Sequence, residues 1–175
     1  MDSLTDAAWL RRAKSFLAYL FLILAIFCSW STPALGVSQR LALKPSPITD
    51  KLSSLKHSDQ RWVEVDLAKQ RLVAWVGREP VYAVIVSTGK QSTATPEGVF
   101  SIQSMHRLAR MQGVDYNLPD VPYTMYYSGN YAIHGTYWHQ SFGTPVSHGC
   151  INVAVDHARW LFNWASVGTT VVVHD

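Results

Sequence analysis

The stretch WVEVDLAKQRLVAWV, residues 62–76, alternates apolar and polar side chains before a short turn-like segment and is apolar from Leu72 onward. In the first half, Val63, Val65 and Leu67 alternate with Glu64 and Asp66. In the second half, Leu72, Ala74 and Val76 face one way, and Val73 and Trp75 face the other. A period of two is typical of a strand with one buried face. The residues between the halves, Ala68-Lys69-Gln70, predict a turn, so the stretch predicts a β-hairpin.

The rest of the chain continues this pattern. Runs rich in β-branched and aromatic residues predict further strands over residues 81–87, 99–103, 123–127, 130–134 and 169–174. The segment 107–122 is polar and is broken by Gly113 and Pro119. It predicts either a loop over a site or an irregular connection.

One helix is predicted near the C-terminus. Its apolar stripe has the spacing i, i+3, i+4 and i+7, and Gly168 is placed to end it: Ala158, Leu161, Phe162 and Ala165. Many strands and a single helix predict a mainly β fold, a β-sandwich or barrel with one helix in the C-terminal half.

Composition excludes some functions. The chain of 175 residues is 48% hydrophobic, with seven Trp and eight Tyr, which is ample for a packed core. Its formal net charge is only +3, and Lys and Arg form no block along the sequence. Nucleic acid is therefore a poor candidate for a partner.

The N-terminal segment predicts export. Arg11, Arg12 and Lys14 precede an apolar run over residues 16–30, and small residues follow up to Gly36. This order is typical of a secretory signal peptide, residues 1–36, cleaved after Gly36. An uncleaved membrane anchor is the alternative. We expect the exported protein to act in the periplasm or cell wall.

The next two segments complete the predicted organisation. Residues 37–59 are rich in Ser, Pro and Lys without a clear period, and they predict a flexible linker between the membrane and the domain. Residues 60–175 then form the predicted folded domain.

The cysteine content singles out one side chain. Cys28 lies in the predicted export signal, so the mature chain holds only Cys150. Exported cysteines usually pair, and a lone one indicates a reactive thiol or an intermolecular bridge. The alternative is an inert thiol that packs in the core as a small hydrophobe.

The neighbours of Cys150 favour nucleophilic catalysis. Cys150 comes shortly before the predicted helix, whose N-terminus would favour a thiolate. Gly149 permits a tight turn in which successive backbone N–H groups face one point, as an oxyanion hole requires. His134, sixteen positions earlier, ends a predicted strand and can return beside the sulfur as a general base. A zinc site is the alternative, formed by Cys150 with His134, His139 and His148.

Two motifs then identify a family. His134-Gly135-Thr136 and Ser147-His148-Gly149-Cys150-Ile151-Asn152 resemble the signature of the L,D-transpeptidase (YkuD-like) catalytic domain. The resemblance extends from Trp62 to His174 through similar residues in Val65-Asp66-Leu67, Arg71-Leu72, Ser87-Thr88-Gly89-Lys90, Thr95-Pro96-Glu97-Gly98 and Phe100. It covers essentially the whole predicted domain.

The resemblance implies an activity. Family members bind the tetrapeptide stem of peptidoglycan, and the cysteine attacks the carbonyl at the L centre of the third residue. D-Ala leaves, a thioester remains on Cys150, and the amine of a second stem resolves it into a 3→3 cross-link. Water as the acceptor would give L,D-carboxypeptidase activity, and a non-catalytic peptidoglycan-binding module is the third alternative. The resemblance implies no cofactor or metal, because a thiolate and an imidazole suffice for this chemistry, and we expect a monomer.

The resemblance also implies roles for the remaining site residues. His134 is the general base, and the carbonyl of Gly135 orients its other ring nitrogen. The backbone N–H groups of the His148–Cys150 turn form the oxyanion hole. The residues expected to shape the turn or contact the substrate are Ser147, Asn152, Gly135, Tyr116 and Trp138.

Overall fold

The computed structural model describes residues 46–175. The predicted signal or anchor, residues 1–36, lies outside this part of the chain. Within residues 46–175 no helix is both long enough and apolar enough to cross a membrane.

Nine strands and two α-helices make up the described chain. In chain order they are α1 (Pro47–Lys56), β1 (Arg61–Asp66), β2 (Arg71–Val76), β3 (Glu79–Ile85), β4 (Gly98–Ser101), β5 (Ser104–Gln112), β6 (Asn117–Ser128), β7 (Tyr131–Thr136), β8 (Ile151–Ala154), α2 (Val155–Trp164) and β9 (Thr170–His174). The mainly β fold with a helix in the C-terminal half is thereby confirmed.

The strands form two sheets. One sheet has the order β3-β2-β1-β9-β4, and the other has the order β5-β6-β7-β8. One continuous core takes apolar side chains from both sheets and from α2, with Val65, Ile133 and Leu161 among its buried members. Because alternate strand residues face this core, the period of two in the sequence predicted the strands correctly.

The opening hairpin forms as the sequence predicts. β1 and β2 pair antiparallel, with Val65 opposite Leu72. Asp66 accepts a hydrogen bond from the N–H of Lys69 at 2.8 Å, and Gln70 takes a positive φ of 48°. These local features close the turn at the predicted position.

The prediction of a flexible linker over residues 37–59 is wrong for its second half, because that half contains helix α1. Ser46 caps this helix by accepting a hydrogen bond from the N–H of Thr49 at 3.2 Å, and Pro47 occupies its first turn. Leu55 is 1% exposed and packs on Trp62 and Val172 of the first sheet. Most other residues of the helix face solvent, so its sequence lacks a strong apolar period and resembles a linker.

The loop predicted for residues 107–122 is also wrong, since β5 and β6 form a long hairpin there. Pro119 and Pro122 do not disrupt it, because β6 pairs with β7 only from Met125 onward. Before that point β6 has one hydrogen-bonded neighbour, and a proline nitrogen can face the open side. The hairpin carries Asp115 and Tyr116 at its turn.

Candidate active site

Cys150 lies at the end of the loop between β7 and β8, with its side chain partly buried. Its Sγ is 3.7 Å from the carbonyl oxygen of Asn130. Burial raises the pKa of the Cys150 thiol, although the N–H of Ala132 opposes this effect. The resting side chain is therefore a thiol rather than a thiolate.

The prediction that a nearby helix N-terminus stabilises a Cys150 thiolate is wrong. The four residues of β8, Ile151–Ala154, separate Cys150 from the start of α2 at Val155. The field of a helix terminus falls off within its first turn, so α2 does little to stabilise a Cys150 thiolate. The sequence indicated the helix correctly but gave no sign of the short strand before it.

His134 is on β7 and is 2% exposed. Its Nδ1 lies 3.1 Å from the carbonyl oxygen of Gly135, which can only accept, so Nδ1 carries the proton. Burial lowers the pKa of His134 to about 4; the contact with Gly135 opposes this effect and the charge of His139 adds to it. His134 is therefore neutral at pH 7, with an unprotonated Nε2 that can accept a proton.

Strand pairing brings the two motifs together. β7 and β8 pair in parallel, with Ile133 beside Ile151 and His134 beside Asn152. Cys150 directly precedes β8, so this register places it near the strand that carries His134. Both side chains line one cavity of about 330 Å³.

The lining of this cavity combines polar and apolar side chains. The polar residues are His134, His139, Ser141, Ser147, His148, Cys150 and Asn152. The apolar and aromatic residues are Met111, Tyr116, Leu118, Trp138 and Val146. No Lys, Arg, Asp or Glu of the described chain belongs to this lining.

A tight turn precedes Cys150. Ser147 Oγ donates to the carbonyl oxygen of Cys150 at 2.6 Å and accepts from the N–H of Gly149 at 3.0 Å. Gly149 has φ +110°, and a Cβ there would come within 2.5 Å of the Tyr131 ring. Both the backbone angle and the close ring require glycine at this position.

The hydrogen bonds of this turn differ from those of the predicted oxyanion hole, in which three successive N–H groups face the substrate. The N–H of Gly149 is already hydrogen-bonded to Ser147, so it does not face a substrate oxygen. Within residues 46–175, neither the N–H of His148 nor that of Cys150 has a protein acceptor. Only these two of the three predicted donors are free for a ligand.

The turn of the β5–β6 hairpin contacts the Cys150 turn. Asp115 Oδ2 is 3.0 Å from His148 Nε2, and the Tyr116 ring is centred 4.9 Å from the His148 ring. The contact with His148 lowers the pKa of Asp115. A second cavity of about 370 Å³ shares Tyr116, His148 and Cys150 with the first cavity, and its other lining residues are Ser128, Gly129, Asn130 and Tyr131.

Most of the residues predicted to bind the substrate lie at this site. Trp138 stacks on His134 with ring centroids 5.6 Å apart, and Tyr116 lines both cavities. Asn152 is buried but still lines the first cavity. The predicted residues that line this cavity with Cys150 are thus His134, Ser147, His148 and Asn152 of the two motifs, together with Tyr116 and Trp138.

Gly135 is the exception among the predicted binding residues. It does not belong to the cavity lining, and a Cβ there would come within 2.9 Å of Pro122 Cγ. Its position permits close packing and its carbonyl oxygen holds His134, so it acts on the base rather than on a ligand.

Sequence reasoning missed Asp115 and gave His139 no role of its own beyond a zinc alternative. Asp115 is one acidic residue in a polar segment, and His139 follows two aromatic residues, so neither has a periodic or motif signal. Within residues 46–175 no three His, Cys, Asp or Glu side chains form a group that could hold a metal ion.

Comparisons with known proteins agree with the motifs. Residues 60–173 match the family model of the L,D-transpeptidase catalytic domain, YkuD. The chain is 35% identical to YqjB of Bacillus subtilis over 108 residues, which cover 55% of this chain and 60% of YqjB. It is 31% identical to L,D-transpeptidase 2 of Mycobacterium tuberculosis over 117 residues, 58% of this chain and 28% of that protein.

The fold is similar to solved structures as well. The NMR structure of the catalytic domain of the Enterococcus faecium L,D-transpeptidase has a TM-score of 0.61 and 29% identity to this chain. The similarity covers 67% of this chain and 99% of that domain. By contrast, this chain spans less than two thirds of either relative named above.

Proposed function

Because the chain belongs to the L,D-transpeptidase catalytic domain (YkuD) family, we propose that it is a cysteine-dependent L,D-transpeptidase that forms 3→3 cross-links between peptidoglycan stem peptides. The observation that carries the proposal is the shared cavity of Cys150 and a buried, neutral His134. A thiol beside an unprotonated imidazole is the arrangement that covalent acyl transfer requires.

The ionisation of the pair suggests how the first step begins. Burial raises the pKa of Cys150 and lowers that of His134, so both groups rest in their neutral forms. The nucleophile is therefore generated during attack. As Sγ bonds to the carbonyl carbon of the third stem residue, the thiol proton moves to His134 Nε2.

The negative charge that develops on the carbonyl oxygen needs hydrogen-bond donors. The N–H groups of His148 and Cys150 are free for this role, while Gly149 holds the turn through Ser147. When the tetrahedral intermediate collapses, the C–N bond to D-Ala breaks and the leaving amine takes the proton from His134. A thioester on Cys150 remains.

The second step transfers the acyl group. The side-chain amine of another stem attacks the thioester carbonyl and gives up a proton to His134. The C–S bond breaks, and the sulfur recovers the proton as the thiol. Cys150 borders both cavities, which supports separate places for the donor stem and the acceptor amine.

The wider setting is part of the proposal. The N-terminal segment 1–36 exports the chain or anchors it in the membrane, so that a monomeric domain works in the periplasm or cell wall. The chemistry described uses only a thiol, an imidazole and backbone N–H groups, without a cofactor.

Mass spectrometry of the full chain with a disaccharide-tetrapeptide that contains meso-diaminopimelate tests the proposal. We expect a cross-linked dimer with loss of D-Ala, and no product from Cys150→Ala, which removes the nucleophile with little change in side-chain volume. Tripeptide without dimer would instead establish the carboxypeptidase. Intact substrate with no adduct on Cys150 would contradict both enzymes and favour a peptidoglycan-binding module.

A further inference from the structure

His139 lines the cavity beside Cys150, and its hydrogen bonds determine which of its nitrogens carries the proton. The N–H of Ser141 lies 3.1 Å from His139 Nδ1. A backbone N–H only donates, so Nδ1 is unprotonated, and burial lowers the pKa of His139 and favours the neutral ring. The proton therefore sits on Nε2.

His139 Nε2 is 2.8 Å from the terminal amide of Asn152, at the position assigned to the nitrogen Nδ2. Two N–H donors cannot share a hydrogen bond. The oxygen and nitrogen of a side-chain amide are distinguished by their partners, and here the partner is a donor. Asn152 Oδ1 therefore faces His139, and the NH₂ group occupies the opposite position.

The backbone of Asn152 leaves it little freedom to move. Its N–H donates to the carbonyl oxygen of Ser87 at 2.8 Å, and its own carbonyl accepts from the N–H of Ser87 at 2.9 Å. The residue is 3% exposed. The main freedom left is a half-turn of the amide, and the His139 proton selects one of the two orientations.

The other end of the amide is open. In residues 46–175, the fully buried side-chain polar atoms that lack a hydrogen-bond partner belong only to Tyr127 and Thr136. The amide end of Asn152 that faces away from His139 is not among them, so that end is not fully buried. Asn152 lines the same cavity as Cys150 and His134. No Lys or Arg of the described chain lines this cavity, so the NH₂ group of Asn152 is one of the side-chain donors that it offers to the oxygen atoms of a bound peptide.

We propose that His139 is a positioning residue that holds the Asn152 amide with its NH₂ group toward an oxygen of the donor stem peptide. The ring is itself held in place, since it packs between Trp138 and Phe142 with centroids 6.3 and 5.4 Å away. The inference rests on the proposed function, because it assigns the donor peptide as the ligand. It gives His139 a role in recognition, distinct from proton transfer by His134.

Kinetics of D-Ala release from the tetrapeptide test this role in His139→Phe and His139→Gln. Phe keeps a planar ring but cannot donate, so we expect kcat/KM to fall about 5- to 10-fold, mainly through KM, as for one lost hydrogen bond. Gln can donate to Asn152 Oδ1, so it should recover most of that loss. An unchanged kcat/KM in His139→Phe would overturn the proposal.

A double-mutant cycle separates positioning from a merely structural role. In an Asn152→Ala background, His139→Phe should have no further effect, because the amide that it orients is gone. An equal loss in both backgrounds would also overturn the proposal.

Nitrogen NMR of the wild-type full chain supplies a readout that does not depend on activity. We expect His139 Nε2 to be protonated and Nδ1 to be unprotonated; the reverse tautomer would overturn the inference even if the enzyme is active. Wild-type protein that releases no D-Ala would contradict the proposed function and, with it, the donor peptide as ligand. Normal release with an unaffected His139→Phe would contradict only the inference.

Discussion

At the scale of single residues, burial determines how the candidate catalytic pair behaves. The same loss of hydration raises the pKa of the Cys150 thiol and lowers the pKa of His134, because each charged form is disfavoured. The pair therefore rests without charge. The predicted helix N-terminus suggested a thiolate at Cys150, whereas burial in the structure favours the neutral thiol.

We expect His134 to make stability depend on pH. The unfolded chain takes up a proton near the ordinary value of 6.5, and the folded chain only near 4. As pH falls from about 7 to 4, protonation thus favours the unfolded state, and folding loses about 3 kcal/mol. Urea denaturation across this range should show a larger loss in the wild type than in His134→Gln, and the difference between the two proteins measures the contribution of His134. A parallel loss in both would contradict the lowered pKa.

Gly149 offers a test of local geometry. An alanine at this position combines a φ of +110° with a Cβ only 2.5 Å from the Tyr131 ring. We expect Gly149→Ala to lower the free energy of unfolding by about 2–4 kcal/mol, from backbone strain and steric overlap together. Gly129→Ala is the matched control, since it also has a positive φ of 53° but no atom within 4 Å. It should lose only about 1 kcal/mol; equal losses would show that the ring contact does not matter.

At the scale of elements, two segments that the sequence predicted to be irregular are regular. The β5–β6 hairpin tolerates two prolines because one side of β6 is unpaired there. Helix α1 has one fully buried apolar residue, so its packing on the sheet, rather than its own periodicity, stabilises it. In both cases the partner lies elsewhere in the fold and is invisible in a local window.

Leu55 tests whether α1 is part of the domain. Leu55→Ala would leave a cavity against Trp62 and Val172, and we expect a loss of about 2–4 kcal/mol in the free energy of unfolding. Ser53→Ala, on an exposed part of the same helix, should change stability little. Thermal and urea unfolding measure both. If Leu55→Ala matched Ser53→Ala, the helix would not be docked as the structure shows.

At the scale of the whole molecule, contacts between distant segments hold the frame on which the site is built. β9 lies between β1 and β4 in the first sheet, and His174 Nε2 lies 3.1 Å from Glu64 Oε1. Burial lowers the pKa of His174, but its contacts with Asp175 and Glu64 and the charges of Glu64 and Asp66 outweigh this and raise it. The contact between His174 on β9 and Glu64 on β1 therefore depends on pH.

The sign of this effect is opposite to that of His134. A raised pKa in the folded state stabilises the fold below the ordinary value of 6.5, and the contribution disappears as pH rises through the folded value. We expect the difference in stability between the wild type and His174→Gln to be largest near pH 5.5 and to shrink toward pH 8. Denaturation at several pH values measures it, and a difference that grew with pH would refute the raised pKa.

Local sequence was sufficient for much of the fold. Apart from β8 and the strands of the 107–122 segment, the strands and α2 follow from side-chain periods, and most boundaries fall within a few residues of the observed ones. The motifs around His134 and Cys150 were enough to identify the family. The strand β8 was not predicted, because its four residues, Ile151–Ala154, are too few to establish a period.

Thus the sequence by itself determined the mainly β class, the family and the identity of the candidate nucleophile and base, because these depend on residue types and their spacing. Only the tertiary structure decided their ionisation, the donors left free beside Cys150, and the contacts of Asp115 and His139. Burial and hydrogen bonding depend on residues that are far apart in the chain, and a local sequence pattern does not show which of these residues come into contact.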